Sequence, residues 1–564
     1  MHRFLSITVL ALMAACKPAL IPADLIISGG TIHTMEPSSP QVEAVVVSAD
    51  TIRFAGTAAA AMTYRGDNTI MVDLKGKTMT PGLIEGHGHI MGMGYNELNI
   101  DLMGVKDFDA IVDKVREAVS KSKPGEWIVG RGWHQDKWET KPARMVKGFP
   151  THEAISEVSP DNPVVLEHAS GHNILANAAA MKVAGISALN QEKIKLPVGA
   201  EIIRDDLGNP TGLFNETAAD LVTAKIPPTS EETERKALEL AMASCQRHGI
   251  TSFHTAGESQ AVIDLFRKFR DEGKSGVRIY AMLSGSDAGL LARHFASGPQ
   301  SDKWVSVRSI KLYGDGALGS RGAWLLEDYS DRAGHRGQPN MVMDSVLTIS
   351  RKALKTGFQV NTHAIGDRAN REVLDRYEAA FRENPDAAKD ARFRIEHAQH
   401  LHPEDIGRFA TLGVIPAMQA IHLSSDRPWA IDRLGKQRIE DGAYVWRKLL
   451  DSGVKVVNGS DVPVEPINPI ASYYASVTRK TLKGQPEGGY EPGQRMTREE
   501  ALRSYTLDAA YGAFEENQKG SIRAGKLADF TVFDRDILSV PEDQILQTRV
   551  AMTILGGKVV YEMK

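Results

Sequence analysis

Residues 78–94 read TMTPGLIEGHGHIMGMG. An apolar run opened by Pro81 and Gly82 ends in two histidines, His87 and His89, spaced two apart. With 17 histidines in 564 residues, a His-x-His triplet arises by chance roughly once in two chains of this length, so the spacing alone is a weak signal. A second triplet, His400 and His402, makes the point. Context separates them. In a strand, side chains at i and i+2 share a face, so His87 and His89 point together at whatever the strand end opens on. His402 instead precedes PEDIGRFATLG (403–413), which reads as a helix start. The same stretch bears on the fold class, because an open doubly wound sheet carries a Gly-rich phosphate loop after its first strand. Here the first strand ends in EGHGHI.

Outward from it, apolar strand-like runs alternate with helical stretches: GITSFHTAG (249–257) then SQAVIDLFRKFRDEG (259–273), GFQVNTHAIG (357–366) then DRANREVLDRYEAAFREN (367–384), RFRIEHAQ (392–399) then HPEDIGRFATLG (402–413), and finally VKVVNGSD (454–461). Strand then helix repeated over residues 81–504, with polar residues clustering where strands end, predicts a closed (β/α)8 barrel of the TIM type. Upstream, DLIISGGTIHTM (24–35) and EAVVVSADTIRFAG (43–56) are β-branched runs with hairpin chemistry, and the texture returns in KLADFTVFDRD (526–536) and TRVAMTILGGKVVYEMK (548–564). Residues 24–80 and 505–564 are therefore expected to build one small β-sandwich domain from both chain ends. The 100–230 region is long for a loop after a first strand and reads as an inserted cap over substrate entry.

Composition narrows the function. Hydrophobic residues make up 42% and charged residues 24%, ordinary for a globular enzyme, and 67 basic against 71 acidic residues create no field that gathers nucleic acid or an anionic membrane. Small-molecule chemistry is the default. The opening MHRFLSITVLALMAAC has a basic start, an apolar stretch from Phe4 to Met13 too short to span a bilayer, and small residues before Cys16. It reads as an export signal over residues 1–16, with Cys16 resembling a lipidated lipobox cysteine. The expected location is the periplasm or cell envelope, with membrane contact only through that anchor. Cys245 is the other cysteine, so a mature chain has no internal disulfide.

Applying one test, an ionisable residue closing an apolar strand, picks out Lys311 in VRSIKLYGDGALGSRGA, His363 in FQVNTHAIGD, His397 in FRIEHAQ and Asp461 in VKVVNGSDVPV beside His87 and His89. Several such groups converging on one barrel face need a metal to offset the cost of burying them. These blocks, with WIVGRGWHQDKW, SPDNPVVLEHASGHNILAN, GNPTGLFNE and GSIRAGKLADFTVFD, run in one order over nearly the whole chain. The sequence resembles the amidohydrolase superfamily, and more closely its branch of N-substituted formamide deformylases and related metal-dependent hydrolases. Glu85 stands where that family more often has aspartate.

The resemblance implies that His87 and His89 bind a first metal and His363 and His397 a second, with Lys311, carboxylated by carbon dioxide, bridging them. Asp461 would take a proton from water and pass it to the leaving nitrogen. The cofactor implied is one or two divalent ions, zinc first. His172 and Glu216, in family blocks between early strands, and Trp133 in GRGWHQDKW are candidate substrate contacts, whereas His254, closing ITSFH, is expected behind the ligands or in the pocket, not among the ligands. The expected activity is metal-dependent hydrolysis of a non-peptide C–N bond in a small amide. A dipeptidase or aminoacylase-like activity, or a regulatory protein that kept the fold, are the alternatives, and a homo-oligomer stays open.

Overall fold

The computed structural model describes residues 21–564 except 136–137, 170–172, 188–193, 195, 197–199 and 228, with backbone alone at 216 and 217. Cys16, residues 1–16 expected to act in export, and His172 lie outside the described residues, as does the side chain of Glu216.

Eight parallel strands make the barrel: β1 (Leu83–Gly88), β2 (Ile250–Glu258), β3 (Arg278–Ser284), β4 (Val305–Tyr313), β5 (Gln359–Ala364), β6 (Arg394–His397), β7 (Ile415–Met418) and β8 (Val457–Asn458). Each pairs in parallel with the next. Strands covered on both faces read as continuous apolar runs, and IYAML within β3 is buried throughout. Helices close the outside by amphipathic faces. In Gln260–Asp271 the Ser259 hydroxyl caps Val262 N–H, and Ile263, Leu265, Phe266 and Phe269 are buried, each side chain contributing about 1.5–3 kcal/mol.

The ring closes from β8 back to β1 without a regular ladder. Two backbone bonds span the seam just past the strand ends, Asp461 N–H to His87 carbonyl at 2.8 Å and His89 N–H to Val462 carbonyl at 2.7 Å. Glycine is required there by close approach: a Cβ on Gly86 would sit 2.3 Å from the Asn458 carbonyl oxygen, and one on Gly459 would sit 2.6 Å from His87 N. Wholly buried Glu85 adds to the seam, accepting from Ser460 N at 2.7 Å, Ser460 Oγ at 2.9 Å and His87 N at 3.2 Å.

Between β1 and β2 the chain builds a separate six-stranded sheet, in the order Glu201–Arg204, Pro210–Asn215, Asn173–Ala176, Val164–His168, Ile128–Trp133, Ile100–Asp101, with cores of its own. A further eight-stranded sheet joins both chain ends, Thr78–Pro81 pairing antiparallel with Phe530–Phe533. Leu25, Ile27, Val45 and Met79 share its core with Phe530, Val532 and Ile554. Arg278 of β3 holds Asp529 through two bonds of 2.6 and 2.9 Å, tying this sheet to the barrel. Helix Leu507–Tyr511, expected within the terminal β unit, instead packs Ala509 and Ala510 against Ile84, Ala417 and Val457. Its apolar small residues fit the barrel floor, and the C-terminal strands begin only at Phe530.

Candidate metal centre

The strands bring the candidate residues to one end of the barrel. Lys311 lies two residues before Tyr313, which pairs with His363, and Ala364 pairs with His397. His87 is the penultimate residue of β1, and His89 follows the strand at the start of the next helix with its ring 5.8 Å from that of His87. The His397 ring lies 5.0 Å from His87 and 4.4 Å from His363. His397 and Asp461 both hold left-handed backbone, φ 75° and 60°, a conformation that costs an L-residue about 1–3 kcal/mol and concentrates at functional sites.

Among the described residues, two sets of donor atoms lie mutually within 4.8 Å: His87, His89 and Asp461, and His397, His422 and Asp461. Asp461 Oδ1 is 3.3 Å from His89 Nε2 and 3.5 Å from His87 Nε2. Neither contact has hydrogen-bond geometry, and among the described residues this buried oxygen has no hydrogen-bond partner. Donors sharing a tetrahedral cation with bonds of 2.0–2.1 Å stand about 3.3–3.5 Å apart, which is the spacing seen. His363 stands in neither set: its buried Nε2 faces Asp315 Oδ1 at 3.5 Å, without a hydrogen-bond partner among the described residues. The donors present therefore fit a divalent cation.

The imidazoles are set in the ligand tautomer by what holds their far nitrogens. His87 Nδ1 meets Glu396 Oε2, His89 Nδ1 lies 3.1 Å from the Ala256 carbonyl, and His397 Nδ1 lies 2.7 Å from Gln419 Oε1. Each Nδ1–H donates outward, which leaves Nε2 as an acceptor facing inward. Burial, reinforced by the Lys311 charge, pushes His87 down to about 4 and His363 to about 3, so both are neutral at physiological pH. Burial would raise Glu396, but Arg394, His87 and Lys311 outweigh it and keep the carboxylate ionised. Asp461, where the histidine contacts overcome burial, is also held well below the usual carboxylate range.

Lys311 is 1% exposed with Nζ 3.2 Å from His87 Nε2. Burial pulls its amine down to about 8, so roughly a tenth is uncharged and nucleophilic at pH 7. Asp315, four residues further along the chain, is occupied elsewhere: its oxygens accept from Trp324, Ile365 and Gly366 N–H at 2.8–2.9 Å.

Not every sequence candidate is brought to this centre. Trp133 is 1% exposed in the core of the inserted sheet, its Nε1–H donating to the Leu166 carbonyl at 2.9 Å, so it builds that unit's interior instead of a pocket wall. His254 sits behind the ligands against Arg394. His400 and His402 lie away from the donor sets, His402 capping helix Pro403–Leu412. His422 was missed. It lies four residues past the end of β7, on helix Ala420–Gly442, where a rule built on strand ends does not reach. Burial would lower its pKa, but Asp461, Glu465 and Asp426 push it up to about 10. Arg394 and Glu396, which steer His87, were passed over too.

A family model described as the amidohydrolase family matches residues 71–561. Protein LONG AFTER FAR-RED 3 of Arabidopsis thaliana is 34% identical over 98% of this chain and 94% of its own length. An N-substituted formamide deformylase of Arthrobacter pascens is 28% identical over 96% of this chain and 98% of its own. Among solved structures, an uncharacterised metal-dependent hydrolase from Pyrococcus furiosus superposes with a TM-score of 0.74 at 26% identity, covering 91% of this chain and all of its own.

Proposed function

The chain belongs to the amidohydrolase family, and on that premise we propose that it hydrolyses a non-peptide carbon–nitrogen bond, that of a formamide or another N-acyl amine, yielding a carboxylate and an amine. The observation that carries this reading is the donor spacing at the strand ends, where Asp461 Oδ1 stands 3.3 and 3.5 Å from two inward-facing imidazoles. The likeness to a protein named as a formamide deformylase supports the choice of bond. His87, His89 and Asp461 would hold one divalent cation, zinc by ligand chemistry, and His363 and His397 a second, with Lys311 between them. Such a cation polarises a carbonyl and lowers the pKa of water.

What the chain's own residues do follows from their positions. The neutral amine of Lys311 attacks carbon dioxide, forming an N–C bond and releasing one proton, so the buried cation becomes an anionic oxygen donor. Asp461, ionised and in line with both donor sets, accepts a proton from the attacking water and delivers it to the leaving nitrogen. The Arg394–Glu396 pair keeps His87 in the ligand tautomer while this happens. Tyr313, 41% exposed and with its ring 5.1 Å from Lys311 Nζ, is placed at the mouth to meet substrate.

The test is formate or carboxylate release from a panel of N-formyl amines, N-acetyl amines and dipeptides by zinc-loaded protein. Turnover confined to the first two classes, lost in Asp461→Asn by about 10²–10⁴-fold, is the expected result. Turnover of dipeptides alone would overturn the choice of bond.

A further inference from the structure

His422 completes a pattern that the three inward-facing histidines share. His87, His89 and His397 each turn Nε2 inward and lean Nδ1 on an oxygen: a carboxylate, a backbone carbonyl and an amide. His422 is oriented alike but held more loosely, with Nε2 3.7 Å from Asp461 Oδ2 and Nδ1 3.7 Å from Glu465 Oε1. His363 is turned the other way, its Nε2 toward Asp315.

Both His422 contacts are too long to be hydrogen bonds. Near 3.7 Å, however, the inner one approaches the separation of two donors on a common cation, as do the His87 and His89 contacts to Oδ1. Asp461 thus stands between two donor sets, Oδ1 facing His87 and His89, Oδ2 facing His422. The side chain is 9% exposed, so water does not readily substitute for a ligand there. One short segment supplies the whole arrangement: Gln419 fixes His397, and three residues on, His422 offers its own nitrogen.

We propose that His422 is a ligand of the second cation, joining His397 and Asp461 Oδ2, so that the strand-7 segment contributes to the metal centre. This rests on the centre described under the proposed function. Binding there releases the proton that Asp461, Glu465 and Asp426 otherwise hold on His422, and leaves Asp461 facing both cations. Glu465 lies on the Nδ1 side of His422 at 3.7 Å, the side on which Glu396 holds His87, but without a hydrogen bond.

The experiment is metal content per chain and the visible absorption spectrum of the cobalt(II)-substituted full chain, for wild type, His422→Ala, His422→Cys and His87→Ala, with thermal unfolding as the check on folding. His422→Ala is expected to lose about one cation and to change the cobalt spectrum, while His422→Cys, which keeps a donor, regains the cation with a thiolate charge-transfer band. A folded His422→Ala with wild-type stoichiometry and an unaltered cobalt spectrum overturns the proposal, whether or not its turnover falls. A wild type without metal overturns both this and the catalytic reading. A wild type that binds metal but cleaves no amide overturns only the latter, and the metal data still decide the role of His422.

Discussion

Replacing Glu396 by glutamine separates two jobs that one carboxylate performs. Glu396 is wholly buried, with Oε2 on His87 Nδ1, and both its oxygens accept from Arg394, Nε at 2.7 Å and Nη2 at 2.8 Å. Arg394 is equally buried, and its other bonds go to neutral groups, the Gly86 carbonyl at 2.8 Å and His254 at 3.2 Å. Glu396→Gln therefore strands a guanidinium in the barrel interior, which costs about 3–5 kcal/mol. It also weakens the basicity and orientation of His87, an outer-shell loss of about 10–100-fold in cation affinity. Denaturant unfolding of the metal-free protein reads the first effect, and competition for zinc against a chelator reads the second. The double variant Arg394→Met with Glu396→Gln removes the stranded charge, so most of the stability returns while zinc affinity stays low. A single variant with wild-type midpoint and affinity would refute the reasoning. A double variant that regained both would show that something else orients His87.

Lys311→Ala is expected to lower the cation content and to make it indifferent to bicarbonate, whereas wild-type content rises when bicarbonate and zinc are supplied together. Elemental analysis under both conditions checks it, and a bicarbonate-independent wild type would remove the carbamate. His400, away from the donor sets and fully buried, is pushed by burial down to about 3 from an ordinary 6.5. Above 6.5 both folded and unfolded forms are neutral. As pH falls from there toward 3 only the unfolded chain binds the proton, so stability drops by about 1.4 kcal/mol per pH unit. His400→Gln should flatten that acid limb by one proton in the pH dependence of the unfolding midpoint, and an unchanged slope would contradict it. Gly459→Ala places a methyl 2.4 Å from Glu85 Oε1 and 2.6 Å from His87 N. The seam must open, at about 1–3 kcal/mol, and a thermal transition at the wild-type temperature would show that it yields freely.

The barrel was legible because parallel strands between helices keep long apolar runs, and because ionisable residues that end such runs stand out. Lys311 at β4, His363 at β5 and His397 at β6 answer to that rule. The rule assumes that neighbours alternate. At His397 and Ala398 the backbone turns left-handed, so Glu396 and His397, adjacent in sequence, both reach the centre, and period-two reasoning hides the first of them. His422 escaped for a different reason: it is delivered by the first turn of a helix, where no strand periodicity points. Trp133 misled because an aromatic in a long insertion looks the same whether it faces a ligand or a core, and only the fold of the insertion decides.

The centre and the closure of the barrel occupy one seam. β8 pairs with β7 through only two residues, Val457 and Asn458, and meets β1 through no regular ladder. What joins first strand to last is a pair of backbone bonds at His87 and His89, the Glu85 carboxylate on Ser460, and the facing donors His87, His89 and Asp461. The left-handed residue Asp461 is costly on its own, yet it turns its carboxylate across the seam toward β1. A cation held there would connect strands that the backbone connects poorly, so part of its binding free energy would be free energy of closing the barrel. The weakest strand pairing in the ring thereby falls where the chemistry supplies an additional bond, and the residues that look strained in isolation are those that set the donors at the spacing a cation needs.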